Sequence, residues 1–320
     1  MSRFAGVLAD PLDGVRPGAV TVEGERIVAV EATEAPETDI VVAPGFVDLQ
    51  VYAPGALERD GVTAYLVAAR EPLEAPDDGC VGVHLEGPFL NPEAAGAIPV
   101  DELCPVDLDL LAGWLDTGRV RLVTISPELP GAFDAIRLVA ERGAVASIGH
   151  THANGATVRA AIEAGATFAT HIWNAMRPVR ARSTGAIPEL LLDDRVTLGL
   201  IADGRHLHPR IEELTVRVAG PDRVALTSDL VEPPGHGDDF ALTGGDRAGA
   251  RLLARMRRFG LREAIAMASL VPARVLGLDD RGRLAPGLRA DLALLDAELS
   301  CVETVAAGKR IWAVRYPQPQ

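Results

Sequence analysis

The chain has 320 residues, of which 48% are hydrophobic, so it can bury the core of one large domain. Its 45 acidic and 31 basic side chains give a net charge of -14, which would repel nucleic acids and anionic membranes. We therefore expect neither of them as a partner. The single lysine, Lys309, lies near the C-terminus and far in sequence from the polar motifs, which argues against a Schiff base or a carbamylated-lysine metal bridge.

The cysteines are few and far apart, without the CxxC spacing of a metal or redox motif. They are Cys80, Cys104 and Cys301. The N-terminal residues lack the apolar core of a secretory signal, and no run of about 18 apolar residues is present to cross a bilayer. These features predict a cytoplasmic protein.

The two ends of the chain contain short apolar runs that favour antiparallel strands joined by Gly and Asp turns. The runs are 4–8, 19–22 and 26–30 near the N-terminus, and 291–295 and 304–314 near the C-terminus. We predict that the two ends together form one small β-sandwich domain, residues 1–43 and 283–320.

Between these ends, short apolar and β-branched runs follow stretches rich in Ala, Leu, Arg and Glu, which is typical of parallel strands covered by helices. The runs are 41–52, 61–67, 81–89, 120–126, 144–150, 167–174, 197–203 and 223–229. Eight such units predict an α/β fold, a TIM-type (β/α)8 barrel formed by residues 44–282.

The first two connections of this barrel are too short for the helix that a parallel crossover normally contains. Only residues 53–60 join the first two strands, and residues 68–80 join the second strand to the third through two prolines. We expect the first barrel helices to be reduced or missing. The later connections 108–116, 132–142 and 155–164 place apolar residues at helical spacing and predict full helices.

Polar residues end several of the predicted strands, where the catalytic groups of a barrel lie. His84 and Glu86 end the third strand on the same side, His150 ends the fifth, His171 lies in the sixth and Asp229 ends the eighth. One carboxylate and two imidazoles can hold a divalent zinc or iron ion and leave a position open for water. The strand ends therefore predict a catalytic metal centre.

Each of these residues also has a purely structural interpretation. A histidine at the end of a buried strand can be a hydrogen-bonded core residue, Glu86 can form an ion pair with His84, and Asp229 can cap a turn. The metal site is favoured because side chains from four separate strand ends converge only if a barrel focuses them.

The chemistry follows from this set of side chains. A metal ion acidifies its water and polarises an acyl oxygen, and Asp229 can take the proton of that water and return it to the leaving amine. The sequence contains no GxSxG elbow, no P-loop lysine and no dinucleotide-binding glycine fingerprint. Metal-dependent hydrolysis is the reaction class that fits.

Segments along most of the chain resemble, in the same order, those of the N-acetylglucosamine-6-phosphate deacetylases of the amidohydrolase superfamily. The segments are PGFVDLQ (44–50), HLEGPFLNPEAAGA (84–97), GHTHA (149–153), AIEAGATFATHIWNAM (161–176), LIADGRHLHP (200–209) and ASLVPARVLGL (268–278). The resemblance implies a barrel with a small β-sandwich, one divalent ion per chain, zinc or iron, and a homodimer. It also implies a place in amino-sugar metabolism, with acetate released from N-acetylglucosamine 6-phosphate.

Position by position, the resemblance implies that Glu86, His150 and His171 are the metal ligands and that Asp229 is the general acid and base. It implies substrate contacts at four further positions: Asn174, Ala175, Arg182 and His206. Arg182 matches a phosphate-contacting arginine, and the planar guanidinium suits a phosphate. That contact can be made within one subunit or across a dimer interface.

Two positions depart from the family pattern and leave the substrate open. Tyr52 replaces a smaller polar residue, and Ile98 stands where many members have a histidine. The first strand reads Gln50-Val51-Tyr52, without the HxH pair that holds a second metal, so one ion is expected. The alternatives are an amidohydrolase for a different small N-acyl substrate and a non-catalytic paralogue that binds a sugar phosphate.

Overall fold

The computed structural model describes residues 1–55, 57–231, 245 and 248–314. Its strands, in chain order, are β1 (Ser2–Asp10), β2 (Gly14–Glu23), β3 (Arg26–Ala32), β4 (Val41–Pro44), β5 (Phe46–Val51), β6 (Val62–Ala69), β7 (Cys80–Glu86), β8 (Val120–Ile125), β9 (Val145–Ile148), β10 (Ala166–Ala169), β11 (Thr197–Leu200), β12 (Val224–Leu226), β13 (Leu292–Leu295), β14 (Cys301–Ala306) and β15 (Lys309–Ala313). Its α-helices are α1 (Leu108–Leu115), α2 (Ala132–Glu141), α3 (Gly155–Glu163), α4 (Ala186–Leu192), α5 (Pro209–Ala219), α6 (Gly249–Met256), α7 (Leu261–Ala268) and α8 (Leu270–Val275). Within these residues, no helix has the length and apolar character needed to cross a membrane.

The strands β5 to β12 form one eight-stranded sheet in consecutive order. The end of β5 also meets the segment after β12, because Val51 is bridged in parallel to Leu230 and the amide of Tyr52 donates to the Leu230 carbonyl at 2.9 Å. The first and last strands therefore lie side by side, and the sheet closes into the TIM-type barrel that the sequence predicts.

The early crossovers of the barrel differ from the later ones, as predicted. Among the described residues, β5 and β6 are joined only through a short 3-10 helix, Leu57–Asp60, and residues 70–79 between β6 and β7 contain no helix. The predicted later helices are confirmed as α1, α2 and α3. The Asp107 carboxylate caps α1 by accepting from the amide of Leu110 at 2.9 Å, and the Asn154 side chain caps α3 in the same way.

A chain of polar side chains crosses the barrel interior below the strand ends. The Nε2 atom of His84 lies 2.7 Å from the Thr124 hydroxyl, which contacts the Thr170 hydroxyl at 2.7 Å, and Ser147 joins Thr170 at 2.6 Å. The other ring nitrogen of His84 lies 3.0 Å from the Leu49 carbonyl. Burial lowers the pKa of His84 to about 4. His84 is therefore a neutral core histidine with both ring nitrogens satisfied.

Both ends of the chain build the second sheet, a seven-stranded and mostly antiparallel one with the order β15-β14-β13-β4-β1-β2-β3. The buried Asp10 carboxylate ties the two ends together, because it accepts from the amides of Leu12, Asp13 and Leu284 at 2.9, 2.8 and 2.5 Å. The predicted β structure built from both termini is confirmed as this one sheet. The side chains of its core are Leu8, Val20, Val22, Ile27, Val42, Leu284, Ala290, Leu292, Leu294 and Val305.

Two of the predicted runs are divided in the structure. The run 41–52 forms β4 in the terminal sheet and β5 in the barrel, separated by Gly45. A Cβ atom at Gly45 would lie 2.3 Å from the hydroxyl of Thr63, so only glycine allows this close approach. The run 304–314 is a hairpin, β14 and β15, because Ala307 and Gly308 turn with φ of 48° and 74°.

The chain divides into two compact units. One comprises residues 1–48, 55–64 and 248–320, with the terminal sheet and α6 to α8. The other comprises residues 49–54 and 65–247, with most of the barrel strands and α1 to α5. The predicted boundaries after residues 43 and 282 remain a proposal.

Candidate active site

Polar side chains from five strands meet at the carboxyl ends of the barrel. They are Gln50 and Tyr52 at the end of β5, Glu86 as the last residue of β7, His150 after β9, His171 after β10 and Asp229 after β12. Parallel strands present their carboxyl ends at the same rim, which is where barrel enzymes carry their catalytic groups. The structure thus brings together four residues singled out from the sequence and two that were noted only as departures from a pattern.

The centre of this cluster is one oxygen of Glu86. Its Oε1 atom lies 2.7 Å from the Nε2 atom of His171 and 3.1 Å from the Nε2 atom of His150, and the two nitrogens are 3.1 Å apart. All three residues are buried, and one ligand atom from each lies within 4.8 Å of the others. The predicted ligand set is therefore assembled at a single point.

The tautomer of His150 tests whether this cluster fits a metal ion. Its Nδ1 atom lies 2.9 Å from the carbonyl of Ala94, which has no proton to give, so Nδ1 carries the proton and Nε2 of the neutral ring has a lone pair. That lone pair faces the Glu86 carboxylate and the Nε2 atom of His171. An unprotonated ring nitrogen and a carboxylate oxygen thus meet without a proton between them, which is the arrangement that a divalent cation stabilises.

The pKa shifts in the cluster favour an ionised carboxylate beside an uncharged His171 imidazole. Burial acts to raise the pKa of Glu86, but its contacts with His150 and His171 outweigh burial and hold that pKa well below its usual range. Burial lowers the pKa of His171, which opposes a charged imidazolium there. A carboxylate and two neutral imidazoles are the forms that bind a zinc or iron ion.

Gln50 and Tyr52, at the end of the first barrel strand, form hydrogen bonds to the carboxylates of the cluster. The Gln50 amide donates to Glu86 Oε1 at 2.8 Å and to Asp229 Oδ1 at 2.9 Å, and the Tyr52 hydroxyl donates to Glu86 Oε2. Burial, and then the charges of Glu86 and Asp229, raise the pKa of Tyr52 well above its usual value, so the hydroxyl keeps its proton. The sequence carried a signal for this pair, because residues two apart at a strand end face the same side.

Backbone strain is concentrated at the same strand ends. Among the described residues, these non-glycine positions near the cluster have left-handed φ values: His150 (47°), His171 (27°), Trp173 (84°), Ala175 (51°) and Asp229 (50°). Each such conformation costs on the order of 1–3 kcal/mol and persists where the surrounding structure holds it. Contacts elsewhere in the barrel must therefore offset the free-energy cost of this backbone strain, which orients these side chains.

A further carboxylate, Glu128 in the loop after β8, supports the loops beside the cluster. It accepts from the Asn91 amide group at 2.8 Å, from the Thr151 hydroxyl at 2.5 Å and from the backbone amide of His152 at 2.7 Å. These three residues follow β7 and β9, the strands that carry Glu86 and His150. Sequence analysis missed Glu128, because a loop carboxylate has no periodicity that distinguishes it.

The positions expected to contact substrate are distributed around the barrel. Asn174 is buried just after His171 and donates to the His171 carbonyl at 3.3 Å, and Ala175 is buried beside it. Arg182 is exposed in the loop before α4, where the structure gives it no contact with the Glu86 cluster among the described residues. The departure at Ile98 is a buried apolar side chain.

His206 forms a separate buried pair with Asp203 after β11. The Nδ1 atom of His206 lies 2.9 Å from Asp203 Oδ2, and the amides of Arg205 and His206 donate to Asp203 Oδ1 at 2.8 and 2.9 Å. Burial acts to raise the pKa of Asp203, but these hydrogen bonds lower it to about 2. Asp203 is therefore an ionised partner that sets the orientation of His206, a role that the sequence analysis did not assign.

Comparison with known proteins identifies the family that the chain resembles. The model of the amidohydrolase family matches residues 134–314. The N-acetylglucosamine-6-phosphate deacetylase of Bacillus subtilis is 30% identical over 282 residues, which are 78% of this chain and 71% of the relative. The N-acetylgalactosamine-6-phosphate deacetylase of Escherichia coli O157:H7 is 33% identical over 260 residues, which cover 73% of this chain and 68% of the relative. The chain spans about two thirds of the length of the curated relatives it matches.

A solved structure agrees over nearly the whole chain. An aspartate-to-alanine variant of the Mycobacterium smegmatis N-acetyl-D-glucosamine-6-phosphate deacetylase, in complex with N-acetyl-D-glucosamine-6-phosphate, superposes with a TM-score of 0.86. It is 28% identical, and the match covers 96% of this chain and 97% of that one. The resemblance noted in the sequence motifs is therefore confirmed.

Proposed function

Because the chain belongs to the amidohydrolase family, we propose that it removes the acetyl group of N-acetylglucosamine 6-phosphate with the help of one divalent ion held by Glu86, His150 and His171. The products are glucosamine 6-phosphate and acetate. One observation carries the proposal: two imidazole nitrogens, one of them with its lone pair fixed, converge on a single oxygen of a buried carboxylate.

A divalent ion bound by these residues supplies Lewis acidity to a water molecule and to the acyl oxygen. Asp229 takes a proton from the attacking water, whose oxygen forms the new bond to the acyl carbon. When the carbon–nitrogen bond breaks, Asp229 returns that proton to the amine, so the acid and base roles balance over one turnover. The Gln50 amide holds Asp229 Oδ1 at 2.9 Å and so keeps this carboxylate beside Glu86.

The substrate contacts in this proposal come from the segments after β10 and β11. Asn174 and the backbone at Ala175 lie directly after a proposed metal ligand, which suits contact with the sugar. His206 is fixed by Asp203, and Arg182 is the arginine for the phosphate. The exposure of Arg182 is compatible with a phosphate bound in its own subunit or in the partner of a homodimer.

The cellular setting is also part of the proposal. The three cysteines are free thiols, which favours a reducing compartment, and we assign the enzyme to amino-sugar metabolism in the cytoplasm. Zinc and ferrous iron both accept two imidazoles and a carboxylate, so the resident ion is one of these two.

A second candidate is hydrolysis of a different small N-acyl compound. It is favoured by Ile98, which is apolar and buried, and by the replacement at Tyr52, whose hydroxyl is engaged with Glu86. Both positions change recognition while leaving the metal ligands in place. The N-acetylgalactosamine-6-phosphate deacetylase among the relatives shows that related chains differ in the sugar they act on.

The test is elemental analysis of the purified protein together with acetate release. We expect about one zinc or iron per chain, loss of acetate release after chelation, and its return when zinc or ferrous iron is added. His171→Ala should lose the metal, whereas the control His152→Ala, which removes a neighbouring imidazole outside the cluster, should keep it. Metal-free protein with full activity would refute the proposal.

A substrate panel separates the two candidates. It contains N-acetylglucosamine 6-phosphate, N-acetylgalactosamine 6-phosphate and unphosphorylated N-acetylglucosamine. The first candidate requires the highest kcat/KM with the first compound. A metal-loaded protein that releases acetate from none of them would favour the second candidate. A protein that binds the sugar phosphate without turnover would be the non-catalytic paralogue.

A further inference from the structure

The two oxygens of Glu86 have separate sets of partners. Oε1 faces His150, His171 and the Gln50 amide, whereas Oε2 accepts the hydroxyl of Tyr52. A carboxylate can bind an ion through one oxygen or through both. The hydrogen-bond partners of each Glu86 oxygen therefore affect whether one oxygen or both can bind an ion.

Tyr52 is itself fixed from the other side. The guanidinium of Arg70, which follows β6, lies over the Tyr52 ring at 5.9 Å from its centroid, and Arg70 forms an ion pair with Glu102 at 2.5 Å. A cation over an aromatic face is attracted by the ring and restricts its motion. The attraction therefore favours the ring orientation in which the Tyr52 hydroxyl donates to Glu86.

We propose that Tyr52 is a positioning residue that holds Glu86 as a one-oxygen metal ligand. The inference rests on the proposed function only in requiring an ion at Glu86, His150 and His171. With Oε2 engaged by a neutral donor, only Oε1 is presented to the ion. The hydroxyl also stabilises the carboxylate in the orientation that the ion needs, as groups behind metal ligands commonly do.

The test compares Tyr52→Phe with the wild type and with Tyr65→Phe. Tyr65 on β6 is a matched control, because it is a buried tyrosine whose hydroxyl likewise donates to a carboxylate, Asp77 at 2.7 Å, outside the cluster. Each metal-depleted protein is titrated with cobalt(II), whose visible absorption reports the number and geometry of its ligands. Zinc affinity is measured by competition with a chelating dye.

Tyr52→Phe should bind zinc about 10- to 100-fold more weakly. Its cobalt bands should change, because Glu86 is released to bind through both oxygens. Tyr65→Phe should match the wild type in both measurements. Unchanged cobalt bands and zinc affinity in Tyr52→Phe would overturn the proposal, as would a wild type that binds no cobalt at Glu86.

Circular dichroism establishes whether Tyr52→Phe folds. If it does not, Arg70→Met frees the ring while leaving the hydroxyl and the carboxylate in place, and a smaller change of the cobalt bands in the same direction is expected. Unchanged bands in Arg70→Met would then overturn the inference. Cobalt binding with the expected Tyr52 effect but without acetate release would remove the proposed function and leave this inference standing.

Discussion

Two buried carboxylates, Asp10 in the terminal sheet and Glu86 at the barrel rim, show how the two regions differ. Among the described residues, Asp10 accepts from three backbone amides, each of which supplies a proton. Glu86 Oε1 accepts from the Gln50 amide but also faces the unprotonated Nε2 atom of His150, a contact that a bound cation would stabilise. Burial alone does not distinguish a structural carboxylate from a functional one. The protonation state of the groups that face the carboxylate does.

The terminal sheet and the barrel rim also differ in where their backbone is strained. In the terminal sheet, left-handed non-glycine residues are described only at Leu299 and Ala307, both in turns between its strands. The barrel rim holds left-handed residues at two proposed metal ligands and at Asp229. Strain lies in turns in one region and at reactive groups in the other.

The largest effect is expected from replacing Asp229. Asp229→Asn should lower kcat by roughly 10²- to 10⁴-fold, because the amide cannot accept and return the proton. Metal content should be unchanged. The matched control is Asp10→Asn, which should lower the free energy of unfolding by about 1–3 kcal/mol and leave kcat intact. If Asp10→Asn loses turnover without unfolding, the distinction between the two carboxylates is wrong.

A change in the core of the terminal sheet should affect stability and not chemistry. Leu292 is fully buried, so Leu292→Ala should lower the free energy of unfolding by about 2–5 kcal/mol in urea titrations. The exposed Ile311 on β15 provides a control, and Ile311→Ala should change stability by less than about 0.5 kcal/mol. Loss of bound metal from folded Leu292→Ala protein would contradict the separation of roles.

The 3-10 helix Leu57–Asp60, in the same compact unit as the terminal sheet, should also give a pH signature. Burial raises the pKa of Asp60 to about 6, against the opposing charge of Arg251. Its folded pKa lies above the unfolded value, so the folded state takes up the extra proton first. Stability should therefore rise as pH falls from about 6 to about 4, by on the order of 2 kcal/mol. In Asp60→Asn this rise should be absent; parallel stability curves for variant and wild type would disprove the assignment.

The smallest effect concerns the Asp203–His206 pair. Asp203→Asn removes the charge that orients His206, and we expect KM for the phosphorylated substrate to rise roughly tenfold, about 1.4 kcal/mol, with kcat changed less. Asp193→Asn is the control, since Asp193 pairs with Arg195 at a site in contact with solvent. An equal rise of KM in both variants would mean that the effect is not specific to His206.

The sequence was sufficient wherever periodicity or position along a strand determined the answer. The eight barrel strands, the reduced first helices and the convergence of Glu86, His150 and His171 followed from strand ends that must share one rim. The division of the run 41–52 did not follow, because it depends on the close approach of Gly45 to Thr63, two residues that are well separated in sequence.

The partners of the site were harder to predict than the site itself. Gln50 and Tyr52 could be seen to share a side of the first strand, but which oxygen each donates to depends on side-chain geometry. Glu128 and Asp203 act through loops whose paths are set by tertiary contacts. The roles of Asn174, Ala175, Arg182 and His206 stay predictions until substrate binding is measured.

The position of β4 has a consequence for how the protein is made. Val41–Pro44 lies between β1 and β13 in the sheet, and β13 begins at residue 292. During translation, one edge of β4 stays unpaired until residues 292–295 have left the ribosome. Such late, long-range pairing slows folding and exposes a strand edge to other chains. The nascent protein is therefore expected to depend on chaperones most strongly just before β13 emerges.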